Sequence, residues 1–240
     1  GKSSMSAMIA GAYNIALGSN AMESYKGDDG NNGGTKNIAI GASAMATFQG
    51  GTGDVHANTR FDRNIAIGYN SFTGADFNNA EKVVTDNIAI GDEALNSTGA
   101  NGHVGTIAIG SNALTALTSG YGNTAIGYQS AKHIATGGYN TFLGYDAGAN
   151  GESDDAASNT ANKNVGIGYR SMGTAYGAAS AHFTSYDNVA IGYQAFQNAS
   201  TGNFNVILGS EAGYTMTTGS SNIIIGNHAA YLADGVSDNV

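Results

Sequence analysis

Asn188-Val189-Ala190-Ile191-Gly192 is one of eleven blocks of the form Asn-(Ile/Val/Thr)-small-(Ile/Leu)-Gly, and their recurrence decides the fold. The blocks close at Gly18, Gly41, Gly68, Gly91, Gly110, Gly127, Gly144, Gly168, Gly192, Gly209 and Gly226. Four successive spacings are 17 residues, as is the step from Asn222 to Asn239, and the wider spacings of 19 to 27 residues are the same unit with insertions. A fixed short period outranks a domain count based on the chain's 240 residues. Residues 1–240 therefore read as a single repetitive domain. Because Asn239-Val240 opens a twelfth copy, the chain is expected to be a piece of a longer fibre.

Alignment on the block glycine gives each position a job. The residue before it is always Ile or Leu, and the third residue after it is always Ala or Ser. In the 17-residue copies a second glycine falls ten after the first, at Gly120, Gly137, Gly202 and Gly219. Helical repeats need longer, helix-forming units, whereas these segments are short, β-branched and punctuated by glycine. The expectation is an all-β parallel β-solenoid of eleven to twelve coils, stacked at about 4.8 Å per layer. Each coil reads as strand, bend at glycine, short second strand and turn. Asn fills the first block position at Asn37, Asn64, Asn87, Asn123, Asn140, Asn164, Asn188, Asn205 and Asn222, with Thr106 the exception. Such repetition predicts a structural ladder of side-chain amides bonded from coil to coil.

Alternate side chains of a strand point to opposite faces. Here both faces are apolar, a pattern normally buried on both sides. The residues three and one before the glycine are assigned to the coil's interior. Those two before it, Ala39, Ala66, Ala89, Ala108, Ala125, Phe142, Ile207 and Ile224, are then left for an oligomer interface with other copies of the chain.

Several function classes are excluded by composition. A net charge of −9 opposes a sequence-independent grip on phosphate backbones, so nucleic acid is not an expected partner. With no Cys there is neither a disulfide nor a thiolate metal site. No apolar run approaches the length of a membrane span, so no membrane insertion is expected. The start Gly1-Lys2-Ser3-Ser4 lacks the apolar core of a signal peptide.

The blocks Asn37-Ile-Ala-Ile-Gly41 and Asn188-Val-Ala-Ile-Gly192 resemble the head repeats of YadA-like trimeric autotransporter adhesins. Longer units, Asn123-Thr-Ala-Ile-Gly-Tyr-Gln-Ser-Ala131, Asn140-Thr-Phe-Leu-Gly-Tyr-Asp-Ala-Gly148 and Asn205-Val-Ile-Leu-Gly-Ser-Glu-Ala-Gly-Tyr214, are similar to repeats in the tail fibres of marine bacteriophages. The resemblance spans nearly the whole chain. It implies a left-handed β-roll, a homotrimer, an extracellular location on a virion or bacterial surface, and attachment to a host-cell surface glycan or protein receptor. Autotransporter heads keep a shorter, Ser-rich repeat, which tilts the reading towards a phage fibre. The shared motif is scaffold, so no functional residue carries over from it.

Function is expected in the insertions, placed at Lys26–Lys36, Gly50–Arg63, Asp76–Asp86, Gly151–Lys163 and Ala175–Asp187. In solenoids, insertions often form the binding face. They hold the candidate binding residues Phe61, Phe77, Phe183, Tyr186, Asp154 and Asp155. Tyr69, Tyr128, Tyr145, Tyr169 and Tyr193 follow a block glycine directly and read either as a sugar-binding platform or as an intercoil packing ladder. Acidic loops such as Asp28-Asp29-Gly30-Asn31-Asn32-Gly33 lack the bidentate Glu of a calcium loop, so no metal is expected. The five His have no metal-ligand spacing, and there is no nucleophile elbow or phosphate-binding loop. No cofactor and no enzymatic activity are expected. The alternatives are a polysaccharide-degrading tail spike and a pure spacer whose receptor site lies elsewhere.

Overall fold

The computed structural model describes residues 2–5, 11–23, 34–47, 60–74, 82–98, 101–149, 159–173, 183–233, 235 and 237–239. Among them there is no helix. The strands are β1 (Ile15–Leu17), β2 (Ile38–Ile40), β3 (Arg60–Asp62), β4 (Ile65–Ile67), β5 (Val83–Thr85), β6 (Ile88–Ile90) and β7 (His103–Val104). They continue with β8 (Ile107–Ile109), β9 (Thr124–Ile126), β10 (Thr141–Leu143), β11 (Val165–Ile167), β12 (Val189–Ile191), β13 (Val206–Leu208) and β14 (Ile223–Ile225). The chain forms two compact units, Gly1–Gly122 and Asn123–Val240.

In the first unit β1, β2, β4, β6 and β8 pair in that order, all parallel and with block positions matched, as in Ala39 beside Ala66. A second parallel sheet, β3-β5-β7, is built from residues just before the Asn of each block. In the second unit β9 to β14 pair in chain order with the same register. Both units are therefore all-β solenoids in which one repeat makes one coil.

Beyond the glycine the expected second strand is absent among the described residues. A turn replaces it, with left-handed backbone at the second and fourth residues after the glycine, such as Gln194 (φ 52°) and Phe196 (φ 51°). These two residues curl the chain back, and the turns stack by coil-to-coil bonds: the Phe72 N–H donates to Ala94 O at 2.8 Å and the Leu95 N–H to Ala113 O at 2.9 Å. Hydrogen bonding thus continues round the coil without a second extended segment.

The core corrects the assignment of faces. Ala39, Ala66, Ala89, Ala108, Ala125, Phe142, Ile207 and Ile224, expected at an oligomer interface, are buried inside their own chain, Ile224 being the most exposed at 8%. They face the residue four after the block glycine across a narrow coil. In most coils where the strand offers Ala the turn offers bulk, as Ala66 with Phe72 and Ala190 with Phe196, although Ala125 meets Ala131. Where the strand offers Phe142 or Ile207 the turn offers Gly148 or Gly213. A Cβ on Gly148 would lie 2.6 Å from the Phe142 ring, and one on Gly166 2.7 Å. No coil sets two bulky side chains against each other at these positions, as close packing in a narrow core requires.

Candidate functional site

The Asn ladder positions every surface of the coils. The Asn64 amide donates to Asn37 Oδ1 at 3.0 Å and to the Val84 carbonyl at 2.8 Å, while its own Oδ1 accepts the N–H and the amide of Asn87. Asn140, Asn164, Asn188, Asn205 and Asn222 repeat this linkage in the second unit. Each buried amide is satisfied on both sides, which removes the desolvation cost of its burial. At the exception, Thr106, the N–H still donates to Asn87 Oδ1, but the buried hydroxyl has no partner. Thr106→Asn should supply the missing donor to Asn87 Oδ1 and to the Gly120 carbonyl. It is expected to raise the stability of the first unit by about 1–2 kcal/mol, read from the denaturant midpoint. A lowered midpoint would count against the ladder as the reason for Asn.

With the middle strand residue pointing inward, the residues three and one before the glycine point out. Leu143, Ile191, Val206 and Ile223 are exposed, and Ile38, Ile40, Ile65 and Ile67 are half-buried. The strand's flanks are aromatic: Tyr128, Tyr145, Tyr169 and Tyr193 on one side, Tyr139, Tyr186 and Phe204 on the other. Among the described residues, every exposed large apolar or aromatic side chain except Val83 and Leu232 lies on this strand face or its flanks. The concentration marks the strand face of each unit as unfinished, because exposed apolar area is normally scattered.

The tyrosines that follow the glycine form a stack in the second unit. Ring centroids are 4.9 Å apart for Tyr128–Tyr145, 5.6 Å for Tyr145–Tyr169 and 5.2 Å for Tyr169–Tyr193. Since their faces cover one another, the rings leave mainly edges and hydroxyls outward. Packing, rather than a platform for sugar faces, fits this geometry. Arg170 lies over the Tyr169 ring and donates to buried Asp146 at 3.3 Å. Burial holds the Asp146 carboxyl above the usual range, against the pull of Arg170.

Some residues expected at the ends of the insertions are part of the coil and not of a display loop: Arg60–Asp62 and Val83–Thr85 pair as strands just before their blocks. Phe61, on β3, and Phe183 are at most 1% exposed, so both are core side chains and not contact residues. Phe61, Val84, His103, Ala161 and Ser185 stand three before the Asn or Thr that opens the next block, the place of the second glycine in the 17-residue copies. Counting back from Asn, instead of forward from glycine, locates them in the wall. Tyr186 is exposed and packs edge-on against Phe204 at 5.2 Å. Phe77, Asp154 and Asp155 lie outside the described residues.

Polar contacts brace this rejoining edge. Asp62 accepts from the Thr35 N–H at 2.9 Å and from Arg60 at 3.1 Å. Partial burial works to raise the Asp62 pKa, but the Thr35 and Arg60 hydrogen bonds outweigh it and hold the carboxyl below the usual range. Arg63 meets Asp86 in a two-pronged pair at 2.6 and 2.8 Å, which keeps Asp86 ionised to lower pH. Among the described residues no group of three or more His, Cys, Asp or Glu could hold a metal ion. Compared with protein-family models, curated proteins and solved structures, the chain gives no significant match to any.

Proposed function

We propose that the chain is a non-enzymatic attachment fibre, a homotrimeric left-handed β-roll that works outside the cell on a virion or bacterial surface. It presents its insertions to a glycan or protein receptor on a host cell. One observation carries this reading: the outward Ile, Val and Leu columns, with aromatic flanks, repeat at the pitch of the coils. A rigid partner can cover such a face throughout only if it has the same pitch, and a second copy of this chain has it by construction. A cyclic arrangement lets every copy cover this face on its neighbour. The number three rests on the resemblance to trimeric fibres.

The insertions fit the same reading. In sequence they fall between the turn after the glycine and the segment before Asn, outside the blocks that supply the outward strand. Loops on a rigid scaffold are where recognition residues concentrate.

At micromolar concentration the folded chain is expected to sediment at three times 24.1 kDa. The double variant Ile65→Lys and Ile67→Lys should sediment as a folded monomer, since each outward Ile buried between copies contributes about 1 kcal/mol. A wild-type monomer with intact β-sheet circular dichroism would sink the trimer. Removing residues 24–33, 48–59, 75–81, 150–158 or 174–182 singly should weaken binding to host cells for at least one deletion. Unchanged binding in all five would remove the insertions from the receptor site. Release of short sugars from surface polysaccharide would overturn the non-enzymatic reading.

A further inference from the structure

His103 is fully buried on β7 and stands in the wall column beside the break in the Asn ladder. Its Nε2 faces the Thr98 carbonyl at 2.9 Å, which places the single proton of the neutral ring there. Nδ1 has no hydrogen-bond partner. Facing the ring on the following coil are the Thr118 and Gly120 carbonyls, acceptors like Nδ1 itself. In other coils an Asn amide donates to the carbonyl at Gly120's place, and Thr106 has no amide to offer. Two neighbouring departures from the repeat, His103 and Thr106, thus leave unpartnered polar atoms in one coil.

A second proton on Nδ1 would put a cation in this space. Among the described residues, the elements packed around the ring bring no countercharge. β5 contributes Val83, Val84 and Thr85, and the neighbouring segments bring Thr98 and Thr118 to Gly120. Lys82 and Asp86 bracket β5, and Asp86 is engaged by Arg63. A buried, uncompensated imidazolium is strongly disfavoured against one in water.

We propose that His103 is an acid-operated seam in the first unit, where taking up a proton opens β7 and the 118–122 segment from the coil before them. Burial, the largest influence on the ring, holds its pKa below the ordinary 6.5, against the pull of the facing carbonyls. The sign follows from that direction. The closed seam is at full stability above pH 6.5 and loses stability as pH falls below it, because the open form takes the proton that the closed form refuses.

The experiment is amide hydrogen exchange on the full chain at pH 8.0 and 5.0, corrected for intrinsic rates. The Gly105 N–H is bonded to Thr85 O and the Gly122 N–H to Val104 O, so both report on the seam. Their corrected exchange should rise by up to about thirtyfold at the lower pH, the growth expected of an open form with an ordinary histidine pKa. In His103→Gln, whose amide keeps a donor for Thr98 O, the rise should vanish. Equal exchange at both pH values, or an equal rise in His103→Gln, would overturn the proposal. Should that variant fail to fold, nuclear magnetic resonance titration of the wild-type ring decides: titration below 6.5 accompanied by loss of protection supports the seam, and titration at or above 6.5 refutes it.

Discussion

Gly168→Ala is expected to cost more than about 4 kcal/mol, or to prevent the second unit from folding, while Gly105→Asn should change stability by no more than about 1 kcal/mol. Both glycines have positive φ, +129° and +65°. Only Gly168 also lacks room, since an added Cβ would lie 2.3 Å from the Gly192 carbonyl oxygen, backbone that cannot rotate away. At Gly105 a Cβ would meet nothing within 4 Å, and Tyr139 and Phe204 adopt the same left-handed backbone in equivalent places. Chemical denaturation of the two variants, read beside wild type, measures the difference. Similar costs would mean that φ alone, and not the glycine-on-glycine contact, sets the requirement.

Asn188→Ala comes next in size. The side chain donates to Asn164 Oδ1 and the Gly202 carbonyl and accepts the N–H and amide of Asn205, at 2.9 to 3.0 Å. Truncation strands the Asn205 N–H, one amide hydrogen of Asn205 and the Gly202 carbonyl in buried surroundings. At about 1–3 kcal/mol for each orphaned group, a loss of about 4 kcal/mol is expected. Asn188→Asp separates shape from donation. It can still accept from Asn205 but, when ionised, offers nothing to Gly202 O or Asn164 Oδ1. Those two acceptors disfavour the carboxylate and push its pKa up in the fold, so this variant should gain stability as pH falls below that raised value. A cost below 1 kcal/mol for Asn188→Ala in urea unfolding would show that the ladder follows from the fold without stabilising it.

Periodic features were legible in the sequence. Eleven blocks in register dictate parallel strands, and Asn in one column dictates amides within reach of one another. The direction of the strand was not legible from alternation. Ile38 and Ala39 are both apolar, and a period of two does not say which of them faces in. The information lay across the coil: Phe142 and Ile207 occur only with Gly148 and Gly213 four after the block glycine, whereas Ala66 and Ala190 occur with Phe72 and Phe196. Such exchange of volume is what residues touching in a core display, and it turns the small column inward. Phe61 and Phe183 were misplaced for a related reason. An aromatic in a long copy looks like loop decoration until its distance from the following Asn is counted: Phe61, three residues before Asn64, stands in the wall column, and Phe183, five before Asn188, leads into it. His103 gives no periodic signal, being the one member of its column that can ionise.

The Asn ladder also bears on length. Apart from the break at Thr106, each amide joins neighbouring coils by the same bonds whether 17 or 27 residues separate them, so the scaffold is indifferent to how many coils it has and to what hangs from each. Gaining or losing one copy changes reach by about 4.8 Å and disturbs no joint elsewhere. Within one unit, span and cargo can therefore be altered independently, one coil at a time.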